Sequence, residues 1–257
     1  MKYSVFTIMN SSYFYFGKIF IDSLFKKIDI DKIDNVFIGD TGLTDEHRKY
    51  LSSFDKVILV DTKYNIQESV LWDSNWLDNV SSKTETLYKL ILMYDLPIIM
   101  IDVDSMFVRN FDEFINLDYD VQVAKRDSKS NVNVENHPVP YIGSFVSINN
   151  NQGGKLFLRN WIDRINTIPN IPKESRALSQ ICLENKPFYK IGDLLVREIS
   201  SYADRKYLEE FDTRIVHFKS RGKFKSGSDE DFIDRTIGRG YLEEIKEYID
   251  VQGYISQ

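Results

Sequence analysis

What this chain lacks narrows its function first. One cysteine, Cys182, in 257 residues excludes an internal disulfide framework and fits a reducing compartment, so the cytoplasm is expected. No apolar run approaches the roughly 20 residues of a membrane-spanning helix. The opening MKYSVFTIMNSSYF is broken by Asn10 and Ser11 after a short apolar run and does not predict a secretory leader. There is no Walker loop, no Gly-x-Gly-x-x-Gly and no Gly-x-Ser-x-Gly elbow, which sets aside the usual ATPase, dinucleotide and hydrolase signatures. Positive charge is in deficit, with 33 Lys and Arg against 39 Asp and Glu and a net charge of −6. That balance argues against a general nucleic-acid binder. Cys182 falls on an apolar helical stripe and reads as a buried structural thiol. Internal repeats, low-complexity tracts and a clear interdomain linker are also missing.

What is there is an ordinary globular composition, 42% hydrophobic and 28% charged, on a chain long enough to bury a sizeable core. Residues 3–9, 36–38 and 56–60 read as strands, separated by helical patterns over 14–25 and 44–54, with Thr44 a candidate cap. Strand, helix, strand, helix, strand predicts right-handed crossovers and a parallel sheet. Residues 63–81, with Trp72 and Trp76, read as a loop or irregular helix that either lines an acceptor groove or caps a hydrophobic cluster. A helix is expected over 82–94 and a turn of helix over 111–115. Strands are expected over 119–124 and 141–148, with 128–136 between them a candidate lid. Helices follow over 153–165 and 175–184, short strands at 187–189 and 194–196, and a late strand at 214–218. Acidic and apolar residues alternate in a helical pattern over 229–248, predicting an outer helix.

The chain is organised around residues 96–110, LPIIMIDVDSMFVRN. An apolar run, Ile98 to Ile101, delivers Asp102 and Asp104 to its carboxyl end. An apolar stretch without clean alternation predicts a central strand covered on both faces, and ligands of open α/β sheets gather beyond the carboxyl ends of such strands. Two carboxylates there suit a hard divalent cation holding phosphate oxygens, or form a solvated turn. The same spacing recurs at Asp29/Asp31, Asp118/Asp120 and Asp229/Asp231, but only Asp102/Asp104 closes a strongly apolar strand. His217 lies in the late strand, as a core histidine or as a metal ligand. Beyond it Lys219, Arg221, Lys223 and Lys225 surround Gly222, a solvated loop or a receptor for a diphosphate. An imidazole with two carboxylates suits Mn²⁺, and Mg²⁺ fits the carboxylates. Together Asp102, Asp104, His217 and the basic loop read as a metal–diphosphate clamp, which stabilises a departing nucleoside diphosphate. Asp127, just past a strand end, is the nearest candidate base, with Glu135 a weaker one.

On these motifs and their order, the sequence resembles Asp-x-Asp glycosyltransferases of the GT-A fold, and most of all the relatives of glycogenin and the bacterial lipopolysaccharide galactosyltransferases. The resemblance spans roughly residues 1–225. It implies a single α/β domain with a mostly parallel sheet and flanking helices. Residues 1–110 would form the nucleotide half, 111–227 the sugar and acceptor half, and 228–257 a helical tail. In that family the first strand and its loop hold the nucleotide base, which here corresponds to Thr7, Met9, Asn10 and their neighbours. A basic residue before the Asp-x-Asp strand corresponds to Lys83. Asp102 is expected near the ribose as well as the metal, and Gly143 and Ser144 at the sugar pocket. An Asp-Gln pair on the next helix lines up with Ser179-Gln180, making Gln180 a candidate catalytic residue beside Asp127. A closing His-x-x-Gly-x-x-Lys signature is matched loosely from His217 to Lys223, with Lys219, Arg221 and Lys223 at the diphosphate. The implied activity is transfer of a hexose, with retention, from a UDP-sugar to a saccharide or lipid-linked saccharide, at most with peripheral contact to the inner face of a membrane. A sugar-phosphate nucleotidyltransferase and a non-catalytic saccharide-binding protein are the alternatives.

Overall fold

The computed structural model of the protein describes residues 2–62, 74–127, 139–168, 173–184, 187–202 and 211–218, with the backbone alone described at 74–81, 201 and 202. β1 (Tyr3–Met9) leads through a 3-10 turn into α1 (Phe14–Lys27), then β2 (Ile33–Asp40), α2 (Asp45–Leu51) and β3 (Val57–Asp61). α3 (Ser74–Met93) is followed by β4 (Ile98–Ile101) and β5 (Ser105–Phe107). Then come β6 (Val121–Lys125), β7 (Tyr141–Ile148), α4 (Gln152–Thr167) and α5 (Lys173–Glu184). The order closes with β8 (Ile191–Leu195), α6 (Val196–Ile199), β9 (Ser201–Tyr202) and β10 (Ile215–His217).

Seven strands form one sheet in the order β3-β2-β1-β4-β7-β6-β8. β3, β2, β1 and β4 run parallel, whereas β7 is antiparallel to both β4 and β6. The alternation of side chains divides the core between the two faces. Val5, Ile99 and Ile101 pack with Phe20, Ile21 and Leu24 of α1. Phe6, Ile98 and Met100 pack with residues of α3, α4 and α5, including Leu87, Trp161 and Ile181. β4 is covered on both sides, which is why four successive apolar residues are needed there.

β1 hands the chain to β2 on one side and lies beside β4 on the other. The chain thus switches direction between β1 and β4, where the carboxyl ends of parallel strands open a crevice. Asn10 follows β1 and Asp102 follows β4, so both stand at that end.

Several expectations shift. The stretch 63–81, expected as a loop or irregular helix, is regular helix from Ser74 onward, so α3 is longer than the 82–94 pattern indicates. Trp76 lies on its first turns and Trp72 outside the described residues. Residues 187–189 form a turn, and the strand there is 191–195. Thr44 caps α2 as expected, its hydroxyl accepting from the His47 N–H. The candidate lid and the tail lie outside the described residues. The sequence did not announce a second sheet, β5-β10-β9, which hangs from the Asp-x-Asp turn. Phe107 anchors it on α1, its ring 5.1 Å from that of Phe20 and its N–H donating to Ser23 Oγ at 3.1 Å.

No described helix is long and apolar enough to cross a membrane. One close approach fixes how α4 leaves β7: a Cβ at Gly154 would lie 2.1 Å from the Asn149 carbonyl oxygen. Backbone cannot swing aside as a side chain would. Gly154→Ala is expected to lower the unfolding free energy by about 1–3 kcal/mol, seen as a lower urea midpoint with an unchanged slope.

Candidate active site

The turn after β4 is held from two directions. Asp102 donates its N–H to the Ser144 carbonyl of β7 at 3.0 Å, and Phe218 donates its N–H to the Asp104 carbonyl at 2.8 Å. β10 pairs antiparallel with β5, His217 opposite Ser105. That pairing swings the imidazole over the two carboxylates. His217 Nε2 lies 3.0 Å from Asp104 Oδ1 and 3.6 Å from Asp102 Oδ2. One ligand atom from each of Asp102, Asp104 and His217 falls within 4.8 Å of the others. Two carboxylate oxygens and one imidazole nitrogen suit Mn²⁺ or Mg²⁺. This donor set, half-buried at the mouth of the crevice, fits a divalent cation.

Beneath it is a second cluster. Lys83 of α3 is buried, and its ammonium donates to Asp102 Oδ1 at 2.5 Å while standing 2.9 Å from Glu174 Oε1. Glu174 is buried in the first turn of α5. Burial opposes the charge on Lys83, but Asp102 and Glu174 together outweigh it and push its pKa up. Burial acts first on Glu174 too, pushing it up to about 7, helped by the charge of Asp102 and resisted by Lys83. The two directions compete, since a neutral Glu174 would give Lys83 less support. Lys83 stays charged because it has two carboxylates, and Glu174 is the member that takes up a proton first.

Gly143 lies against this pair. A Cβ there would sit 2.6 Å from Glu174 Oε1, and the Gly143 N–H donates to Ser175 Oγ at 3.1 Å. Ser144 is buried, its hydroxyl 2.6 Å from Ser200 Oγ. α5 therefore brings Glu174 and Ser175 against β7. Ser179 is used structurally, its hydroxyl accepting from the Tyr141 N–H and donating to the Tyr141 carbonyl. Gln180 is exposed and accepts from Arg164 at 3.2 Å. Asp127 is paired with Arg197 at 2.8 Å.

On the β1 side, Thr7 and Asn10 are buried. Met9 packs its thioether onto α1, where a Cβ at Gly17 would meet the sulfur at 2.5 Å. Lys219, Arg221 and Lys223 lie outside the described residues. Glu174 and Ser200 are the site residues that sequence reasoning missed. A lone glutamate at a helix start carries no motif, and Ser200 is marked only by the fold.

Because the folded pKa of Glu174 lies above the unfolded one, its contribution to stability is present at low pH and is lost as pH rises through about 7. Lys83→Met leaves Glu174 buried without its cation. The variant should lose about 3 kcal/mol at pH 8 and clearly less at pH 5, where Glu174 takes a proton. Adding Glu174→Gln should recover much of the loss at pH 8, read from urea unfolding at both pH values.

The comparisons with known proteins give the family and the fold. The nucleotide-diphospho-sugar transferase family profile matches residues 47–230. Among solved structures, the apo bifunctional glycosyltransferase WbbM superposes with a TM-score of 0.59 at 12% identity, over 85% of this chain and 46% of that one. This chain thus spans under half of WbbM. The galactosyltransferase LgtC, in complex with donor and acceptor sugar analogs, superposes with a TM-score of 0.55 at 11% identity, over 84% of this chain and 87% of that one. Those likenesses establish the fold. A search of curated proteins gave no significant match. With most of its length matched by the family profile, the chain belongs to the nucleotide-diphospho-sugar transferase family and carries a GT-A-type domain.

Proposed function

We propose that the protein transfers a hexose from a UDP-sugar to a saccharide or lipid-linked saccharide acceptor, with a divalent cation, Mn²⁺ or Mg²⁺, held by Asp102, Asp104 and His217. The observation that carries this reading is the convergence of those three side chains within 4.8 Å at the carboxyl end of β4. When bound, such a cation offers Lewis acidity to the two phosphates and so offsets the charge left on the nucleoside diphosphate.

The rest of the work falls to the chain. Thr7, Met9 and Asn10 stand at the carboxyl end of β1, where a base and ribose would enter the crevice. The Thr7 hydroxyl is buried without a hydrogen-bond partner among the described residues, an unmet donor and acceptor that a pyrimidine edge could satisfy. Lys219, Arg221 and Lys223 follow His217 directly in sequence and are assigned to the diphosphate. The acceptor hydroxyl oxygen then bonds to the anomeric carbon as the bond from that carbon to the diphosphate breaks, and the hydroxyl proton passes to an oxygen of the departing diphosphate.

Lys83 and Glu174, buried together beside Gly143 and Ser144, are assigned to the floor of the sugar pocket. Glu174 supplies the acidic side chain that the alignment with Ser179-Gln180 omits. As a catalytic residue, Gln180 would first have to leave Arg164, and Asp127 would have to leave Arg197. An inverting reaction needs a base free to receive the proton of the incoming hydroxyl. This supports transfer with retention over inversion. The anomeric proton coupling of the product, followed by NMR from the first turnovers, is expected to match that of the donor. Glu174→Gln should slow turnover by about tenfold or more without changing the anomer.

The direct test is calorimetric titration with UDP, GDP and CDP, each with Mn²⁺ and with chelator. UDP is expected to bind with Mn²⁺ and to lose at least about tenfold in affinity with chelator or in Asp104→Ala. Equal binding of all three nucleotides with and without metal would remove the reading.

A further inference from the structure

The search beyond the clamp leads to a buried serine on the connection between the two sheets. Ser200 follows α6 and is 1% exposed. Its hydroxyl lies 3.3 Å from His217 Nδ1 on one side and 2.6 Å from Ser144 Oγ on the other. Ser144 in turn accepts the Asp102 N–H through its carbonyl. A hydroxyl pair thus links the histidine of the small sheet to Ser144 of the large one, the residue whose backbone also holds the Asp102 N–H.

The chemistry of that position is restrictive. To offer Nε2 to a cation, the neutral imidazole must carry its hydrogen on Nδ1, and a buried Nδ1–H needs an acceptor. Without a cation, Nε2 faces Asp104, which only accepts while ionised. Nε2 then holds a hydrogen, and a neutral ring presents Nδ1 as an acceptor. A hydroxyl can meet both demands, because it turns from donor to acceptor by rotation about one bond. A carboxylate or an ammonium at the same place would serve only one of them. Ser144 completes the arrangement as the partner for the Ser200 hydrogen when Nδ1–H points inward.

We propose that Ser200 is a positioning residue of the metal centre, whose hydroxyl keeps the His217 ring in one orientation through both tautomers and so presents Nε2 to the cation. This rests on the metal-centre reading above. Ser200 touches neither donor nor acceptor, so its effect is expected in metal affinity rather than in the contacts of the sugar.

The test compares Ser200→Thr with Ser200→Val. The two replacements have nearly the same shape and differ in the hydroxyl, so any overpacking is shared. Mn²⁺ affinity is read from the electron paramagnetic resonance signal of the free ion, with the thermal midpoint recorded alongside. The Thr variant is expected to bind Mn²⁺ at least about tenfold more tightly than the Val variant. Equal affinities for Thr and Val overturn the role of Ser200 while leaving the metal centre standing. Absence of Mn²⁺ binding by the wild-type protein overturns the centre itself and this inference with it. A second measurement needs no variant. With three histidines in the chain, ¹⁵N imidazole NMR of the wild-type protein can follow His217 as Zn²⁺, a diamagnetic probe, is added. The hydrogen is expected on Nδ1 at saturation, and a ring that keeps it on Nε2 overturns the proposal.

Discussion

Three carboxylates crowd the end of one strand, and the site is arranged around that repulsion. Asp102, Asp104 and Glu174 are drawn together by β4, its following turn and the first turn of α5. Like charges at such distances cannot all stay ionised without compensation. Lys83 supplies one positive charge from inside the protein, shared between Asp102 and Glu174. Asp104 turns the other way, toward His217. What remains is a negative, half-buried mouth on the solvent side, which a divalent cation would complete. The buried lysine therefore does two things. It makes the carboxylate cluster tolerable to the fold, and it leaves Asp104 to be met from the other side by His217.

Much of the surrounding architecture follows from this. α5 must approach β7 closely enough for Glu174 to meet Lys83, and no side chain can stand at residue 143 without striking that carboxylate. β7 must run antiparallel to β4 so that Ser144 can accept the Asp102 N–H. The small sheet must hang from the Asp-x-Asp turn, because only the β5–β10 pairing returns His217 to the carboxylates. The serine pair between the sheets ties these requirements together. The contact that crosses from the large sheet is Ser144 to Ser200, and Ser200 leads directly into β9, which pairs with the strand of His217.

The parts legible in the sequence are those with a strong local period or a local chemical signature. Ile98 to Ile101 announces a strand covered on both faces because an uninterrupted apolar run has no solvated side. Asp102 and Asp104 stand out because they close that strand, and Thr44 because it precedes a helical pattern. Glu174 is harder. Its role depends on helical phase, and Gln180, six residues on, lies about 240° round the same helix. A match of residue types along α5 cannot tell which face turns inward. The small sheet escapes for another reason. β5, β9 and β10 span two or three residues each, too short to show a period.

The amino-acid sequence by itself determined the class of architecture, the strand that presents two carboxylates, and the chemistry those carboxylates share with a histidine more than a hundred residues away. These depend on residue type and short-range order, which a linear chain displays directly. Only the tertiary structure decided which acidic side chain of α5 faces Lys83, that Gln180 and Asp127 are engaged by arginines, and that Ser200 stands behind the imidazole. Those outcomes depend on how helices are rotated and how two sheets are registered against each other. Packing of the whole core sets both.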